Sequence, residues 1–309
     1  MPDKNPYSRK TISRRSFLRR AGGFLANHWV LSTLGFGGAG AIAWVTHDTL
    51  GLKIEQWDLF YPNLPTPLEG KTIVQLSDLH LEILRISPES LSAPIIKDKP
   101  DILVITGDLI SDRQDLYKVA SYLNPLQARY GRYIIMGNND YSNFSKTLFK
   151  RYLELLLGLG WVPLLNDSEF ISSLDLWVIG VDDPASAHDD VPKAYSKLEK
   201  GESKPFRLVL SHSTDCFDDV AKFGADLFLT GHTHGGQIRL PGLEPFVKNT
   251  LLAHQGVYEG LHIIDNIPVY VNRGIGESII PLRLNVPPEI TYFKLKRGST
   301  PAKHKSIST

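Results

Sequence analysis

His232 and His234 stand one residue apart between Gly231 and the pair Gly235-Gly236, directly after the apolar run Leu227-Phe228-Leu229. Two imidazoles at a strand end, flanked by glycines that let backbone crowd a bound ion, are donors of the kind that hold a divalent metal. The same pattern, a short apolar run stopping at a ligand-type residue, occurs four more times upstream. Ile73-Val74-Gln75-Leu76 leads into Ser77-Asp78-Leu79-His80, and Ile102-Leu103-Val104-Ile105 into Thr106-Gly107-Asp108. Tyr133-Ile134-Ile135-Met136 leads into Gly137-Asn138-Asn139-Asp140, and Leu208-Val209-Leu210 into Ser211-His212. Carboxylate, amide and imidazole donors together suit Mn, Fe or Zn. A single Gly-Asp or Gly-Asn at a strand end is ordinary turn chemistry; five in series, each with a metal-compatible donor, call for a common site.

The runs that carry these residues are apolar and rich in β-branched side chains, as in strands buried on both faces. From Lys71 strand and helix patterns alternate, with helices expected over about 87–97, 114–128, 143–157 and 215–223. Strand signals dominate later, over 169–181, 237–240, 261–264, 269–272 and 290–295. This order predicts an α/β fold with two packed mixed sheets flanked by helices. In open α/β sheets ligands bind beyond the carboxyl ends of the strands, where all five motifs fall. Residues 48–70, with Pro62, Pro65 and Pro67, read as a linker with a first strand over 53–61, residues 71–297 as the main domain, and 298–309 as a short polar flexible tail.

The 309-residue chain has a formal net charge of +1, but residues 1–20 hold seven Lys or Arg against one acid, and residues 21–47 hold no Asp, Glu, Lys or Arg. The rest is therefore mildly acidic at −5, which argues against nucleic acid as a partner. Cys216 is the only cysteine, so an intrachain disulfide and a thiol-redox site are excluded. Ser13-Arg14-Arg15-Ser16-Phe17-Leu18-Arg19 resembles a twin-arginine export signal, followed by a weakly apolar, glycine-diluted segment over 21–47 that reads as a signal or a membrane anchor. The basic flank would stay on the cytoplasmic side, placing the remainder outside the cytoplasm in the cell envelope, with the twin-arginine machinery as a partner.

The ordered set Asp78-x-His80, Gly107-Asp108, Gly137-Asn138, His212 and Gly231-His232-x-His234 resembles the calcineurin-like metallophosphoesterase superfamily over about residues 52–297. Asn272-Arg273-Gly274-Ile275-Gly276, Pro281-x-Arg283 and Pro287-Pro288-Glu289-Ile290 are similar to its exported or membrane-anchored bacterial branch. The resemblance implies a four-layer sandwich and two divalent ions, one held by Asp78, His80 and His234, the other by Asn138, His212 and His232, with Asp108 bridging. Two ions ~3.5–4 Å apart can share a hydroxide that attacks a phosphate ester in line with its leaving oxygen, so no protein nucleophile is needed. The implied substrate is a phosphodiester or phosphomonoester, including an envelope lipid.

The chain departs from this pattern at Asn139, where the superfamily commonly has histidine. Asn139 can donate a hydrogen bond to the reacting group but cannot give up a proton near neutral pH. Two other readings follow: a UDP-2,3-diacylglucosamine-type pyrophosphate hydrolase, and a metal-binding protein that has lost turnover. Arg273 is the one residue expected to meet the substrate phosphate. Asp182-Asp183-Pro184 reads as a turn, and His188, His254 and His262 as surface or core residues without partners at ligand spacing.

Overall fold

In the computed structural model, residues 51–308 are described apart from 143, 199–203, 241–242, 246–247 and 279–280. The twin-arginine motif and the 21–47 segment lie outside the described residues. No described helix is long and apolar enough to cross a membrane.

The buried runs of the sequence form two mixed sheets. The first holds β1 (Lys53–Tyr61), β2 (Thr72–Leu76), β3 (Ile102–Thr106), β4 (Gly131–Ile135), β5 (Val162–Pro163), β12 (Glu289–Arg297) and β13 (Lys303–Ser308), in the order β13-β1-β12-β2-β3-β4-β5. The second holds β6 (Asp167–Ile171), β7 (Leu176–Gly180), β8 (Phe206–Leu210), β9 (Leu227–Thr230), β10 (Gly260–Ile264) and β11 (Ile267–Val271), in the order β10-β11-β9-β8-β7-β6. β2, β3 and β4 run parallel, as do β7, β8, β9 and β11.

Successive side chains of a strand point to opposite faces, and here both faces are buried. Val74, Leu76, Leu103, Ile105 and Ile134 turn outward onto α1 (Pro88–Asp98), α2 (Leu116–Leu123) and α4 (Lys146–Gly158). Their alternates Ile73, Ile102, Val104, Tyr133 and Ile135 meet Val178, Leu208, Leu210, Leu227 and Leu229 of the second sheet. Ile179, Val209, Phe228 and Val271 pack on the far side against α5 (Val191–Ala194) and α6 (Phe217–Phe223). The result is the expected helix–sheet–sheet–helix sandwich, and it explains why these strands read as continuous apolar runs rather than alternating ones.

Three expectations are corrected. The span 169–181 is two antiparallel strands, not one, because Ser172–Leu174 forms a 3-10 turn and Asp175 takes a left-handed φ of 52°. Residues 237–240 form no strand; only Ile238 makes an isolated bridge, to Leu284. The 298–309 segment is no loose tail, since β13 pairs antiparallel with β1 over Lys303–Ser308. Trp57 of β1 stacks on His304 of β13 at 4.2 Å, and the His304 Nε2 lies 2.7 Å from Glu55 Oε2. A polar composition hid this strand, because an exposed edge strand needs few apolar side chains.

Candidate metal centre

β2, β3 and β4 of one sheet and β8 and β9 of the other deliver their following residues to one place. Asp78, His80 and His234 form one cluster and Asp108, His212 and His232 a second, with the donor atoms of each within 4.8 Å of one another. In the first, His80 Nε2 lies 3.2 Å from His234 Nε2, and His234 Nε2 lies 3.3 Å from Asp78 Oδ1. In the second, His232 Nδ1 lies 3.1 Å from His212 Nε2, and His212 Nε2 lies 3.3 Å from Asp108 Oδ2. Asp108 Oδ2 is also 3.6 Å from His80 Nε2, so this oxygen faces both clusters.

The backbone is bent to make this possible. Asp78, His80, Asp108, His232 and His234 all have φ between 44° and 67°, a region that residues with a Cβ occupy rarely and at a cost. Neighbouring glycines make the room. A Cβ on Gly107 would lie 2.5 Å from His212 Nδ1, and one on Gly231 would lie 2.4 Å from Asp78 Oδ2. These glycines therefore admit the ligand side chains themselves.

Hydrogen bonds fix which atoms face inward. His212 Nδ1 is 2.8 Å from the Thr106 carbonyl, which can only accept, so Nδ1 carries a proton and Nε2 is the nitrogen turned to the cluster, where a bound ion would take the place of its proton. His80 Nδ1 similarly meets Ser111 Oγ at 3.0 Å and Glu82 Oε1 at 3.5 Å. Asp78 Oδ2 accepts from Ser77 Oγ at 2.6 Å and from the His232 N–H at 3.1 Å. Asp78 Oδ1 and Asn138 Oδ1 are buried without a hydrogen-bond partner. Buried acceptors are normally satisfied; here two are left open on residues expected to be ligands. Donors sharing one ion through bonds of about 2.0–2.2 Å lie roughly 3 Å apart, as the paired nitrogens do. The residues present fit two divalent ions.

Burial alone would raise Asp108, but the facing imidazoles of His212, His80 and His232 hold it well below the usual carboxylate range. His212 is held well above its ordinary value because Asp108 and Asp78 outweigh its burial. Burial, reinforced by His80 and the cation of Arg283, pushes His234 well down.

Asn139, read in the sequence as a catalytic hydrogen-bond donor, is bound to Asp108. Its N–H donates to Asp108 Oδ1 at 2.8 Å and its Nδ2 to Asp108 Oδ2 at 2.6 Å. The residue clamps the shared carboxylate. Arg273 is not available for a substrate phosphate, because its guanidinium is paired with Glu55 and, at 2.5 Å, with Glu289. Both carboxylates are buried, and a cation between them is the usual requirement for such burial. Arg273→Ala should therefore lower unfolding free energy by about 3 kcal/mol while KM for a phosphate ester stays within about threefold. Urea unfolding and steady-state kinetics check this; a KM rise without loss of stability would restore the substrate role.

Two groups escaped the sequence reading. Asp140 accepts from Gly137 N at 2.9 Å, Leu109 N at 3.2 Å, Ile110 N at 3.3 Å and Tyr152 Oη at 3.2 Å, which ties the Asp108 loop to the Asn138 loop. Burial and nearby Asp108 raise it to about 7. Tyr141 donates to Asp182 across the two sheets, at 2.8 and 2.6 Å from its two oxygens. Asp183 makes the expected turn, capping Ala185 N and Ser186 N. His188, expected as a surface or core residue, is exposed and packs its ring edge-on against Tyr141 at 4.0 Å.

Residues 71–236 match the calcineurin-like phosphoesterase family. The chain is 34% identical over 229 residues to the uncharacterized metallophosphoesterase YkoQ of Bacillus subtilis, covering 72% of this chain and 83% of that protein. It is 32% identical over 298 residues to YkuE of the same organism, another uncharacterized metallophosphoesterase, covering 93% and 99%. It is 30% identical over 242 residues to the phosphodiesterase YaeI of Escherichia coli, covering 72% and 81%. The donor clusters at the strand ends lie within or at the edge of the matched stretch, and the sandwich that carries them is of the kind the motifs implied. The chain belongs to the calcineurin-like phosphoesterase family and is a metal-dependent hydrolase.

Proposed function

We propose that this protein hydrolyses phosphate esters, phosphodiesters foremost, with two divalent ions held by Asp78, His80 and His234 on one side and by Asn138, His212 and His232 on the other. The observation that carries this is the position of Asp108 Oδ2, 3.3 Å from His212 Nε2 and 3.6 Å from His80 Nε2, between two clusters that each keep an open acceptor or imidazole pair. Bound there, Mn, Fe or Zn ions would lower the pKa of an attacking water and offset charge on the phosphoryl oxygens. The chain's own residues set the stage: Asn139 and Asp140 fix the Asp108 loop, and the carbonyl of Thr106 fixes the tautomer of His212. The name of the relative YaeI, a phosphodiesterase, supports a diester substrate.

The protein lacking residues 1–47, stripped with a chelator and reloaded with Mn, Zn or Mg, should hydrolyse bis-p-nitrophenyl phosphate faster than p-nitrophenyl phosphate. Background rates with every metal while two ions are bound would leave a binding protein without turnover. We place the catalytic unit outside the cytoplasm, in reach of phosphate esters of the envelope, including lipid-linked ones. The support is Arg14-Arg15 with Phe17-Leu18 and the uncharged stretch behind them. Changing both arginines to lysine should leave the protein in the cytoplasmic fraction; unchanged export would remove the twin-arginine route.

A further inference from the structure

Asn139, clamped to Asp108, cannot itself protonate a departing oxygen. Tyr141 lies three positions after Asn138 in α3 (Asn138–Ser142), and residues three apart share a helix face. Its partner Asp182 lies two residues beyond β7, as His212 lies two beyond β8, and these strands are paired in register through Gly180 and Leu210. The hydroxyl and the carboxyl thus meet, one from each sheet, among the strand-end loops that also carry Asn138 and His212. Nothing in the metal-ligand set uses them. Asp182 also accepts from the Asp183 N–H at 2.9 Å, and its own N–H donates to Asn166 Oδ1 at 3.0 Å, so the carboxyl is fixed in place.

We propose that Tyr141, backed by Asp182, delivers the proton to the leaving oxygen, the task Asn139 cannot perform. The inference rests on the phosphoester-hydrolase reading. As the oxygen of the attacking water bonds to phosphorus, the bond from phosphorus to the leaving oxygen breaks and its electron pair stays on that oxygen. The Tyr141 hydroxyl, which at rest donates to Asp182, turns its proton to the leaving oxygen and takes in exchange the proton of the Asp182 carboxylic acid, which ends as carboxylate; the attacking water keeps one hydrogen in the new P–OH group and releases the other to solvent. Solvent water returns that proton before the next turnover. Tyr141 is the catalytic residue of the pair and Asp182 acts through it.

The surroundings make the Asp182 carboxyl easier to protonate than an exposed one. Burial raises Asp182, and Asp183 raises it further, against the opposing effects of Tyr141 and His188. Tyr141 is itself raised by burial and by Asp182, Asp140 and Asp183, so the phenol stays protonated and the relay moves a proton without an anionic phenolate at rest.

The leaving group reads the pair out. Nitrophenolate departs near neutral pH without a proton, whereas an alkoxide does not. With the manganese-loaded protein, Tyr141→Phe should slow hydrolysis of glycerophosphoglycerol at least about 100-fold, the lower end for general-acid catalysis, and change that of bis-p-nitrophenyl phosphate by no more than about threefold. Metal content by elemental analysis should be unchanged. Asp182→Asn should give the same selective loss and serves if the phenylalanine variant does not fold. An equal loss on both esters, no loss on either, or a wild type that cleaves only the nitrophenyl ester overturns the proposal. A wild type that cleaves neither with any metal removes the hydrolase reading, and the proposal with it.

Discussion

Asp108→Ala is expected to lower kcat/KM for phosphate esters by about 10⁴-fold, which corresponds to the several kcal/mol that metal ions contribute to a phosphoryl-transfer barrier. No other ligand change should cost as much. Asp108 Oδ2 lies within 3.6 Å of imidazoles from both clusters, whereas Asp78 Oδ1 reaches the second only at 4.0 Å, so removal of Asp108 should uncouple two sites at once. His232→Ala, by contrast, takes a donor from one cluster only. Elemental analysis gives the distinguishing readout: the Asp108 variant should lose affinity for both ions, and the His232 variant for one. If the Asp108 variant keeps two ions and turns over within tenfold of wild type, the shared carboxylate is not where the two sites meet.

The second large effect is a reversal of pH dependence by metal. Without metal, Asp108 is held low by the imidazoles around it, so its stabilising contribution is present above the unfolded value of about 4 and is lost as pH falls through its folded value. His80 and His212 are held high, so theirs is complete below the unfolded value of about 6.5 and is lost as pH rises through the folded values. Asp140, raised to about 7, and Asp78, also raised by burial, begin to lose theirs already from about pH 4; His234, pushed down, offsets this over the same interval. The metal-free protein should therefore be most stable between roughly pH 4 and 6.5. Ion binding needs neutral imidazoles, so metal stabilisation should grow across that interval and beyond it. Melting temperatures with and without manganese should diverge by 10 °C or more between pH 5.5 and 8, about 3 kcal/mol for a domain of this size. A constant gap, or metal-free stability that climbs through pH 8, would contradict the charge pairing described for the clusters.

The donor residues were legible because each is tied to a local signal. A buried parallel strand cannot continue through Asp, Asn or His without exposing those groups to apolar neighbours, so strand end and ligand-type residue coincide in the sequence. What was not legible depends on partners far apart along the chain. Arg273 looked free beside Gly274, yet its counter-charge Glu55 is 218 residues away. The β13 strand is polar because it is an edge, and only its register with β1 shows it to be a strand. Tyr141 and Asp182 belong to different sheets and carry no spacing signature, and a turn was a sufficient account of Asp182-Asp183-Pro184 until Tyr141 was seen to reach it. The bonds from Asn139 to Asp108 were not legible, since a side chain that donates to substrate and one that locks Asp108 look alike in sequence.

The left-handed backbone at five ligand positions sets fold and function against each other. Each such residue costs about 1 kcal/mol or more relative to glycine, and glycine at these positions would relax the loops while removing a donor. Selection for stability alone would therefore drift this chain toward a tougher protein with an empty cleft. Aspartate and histidine at these bends trade backbone strain for donors, and a library sorted first on heat resistance and then on turnover should recover the two properties in different clones.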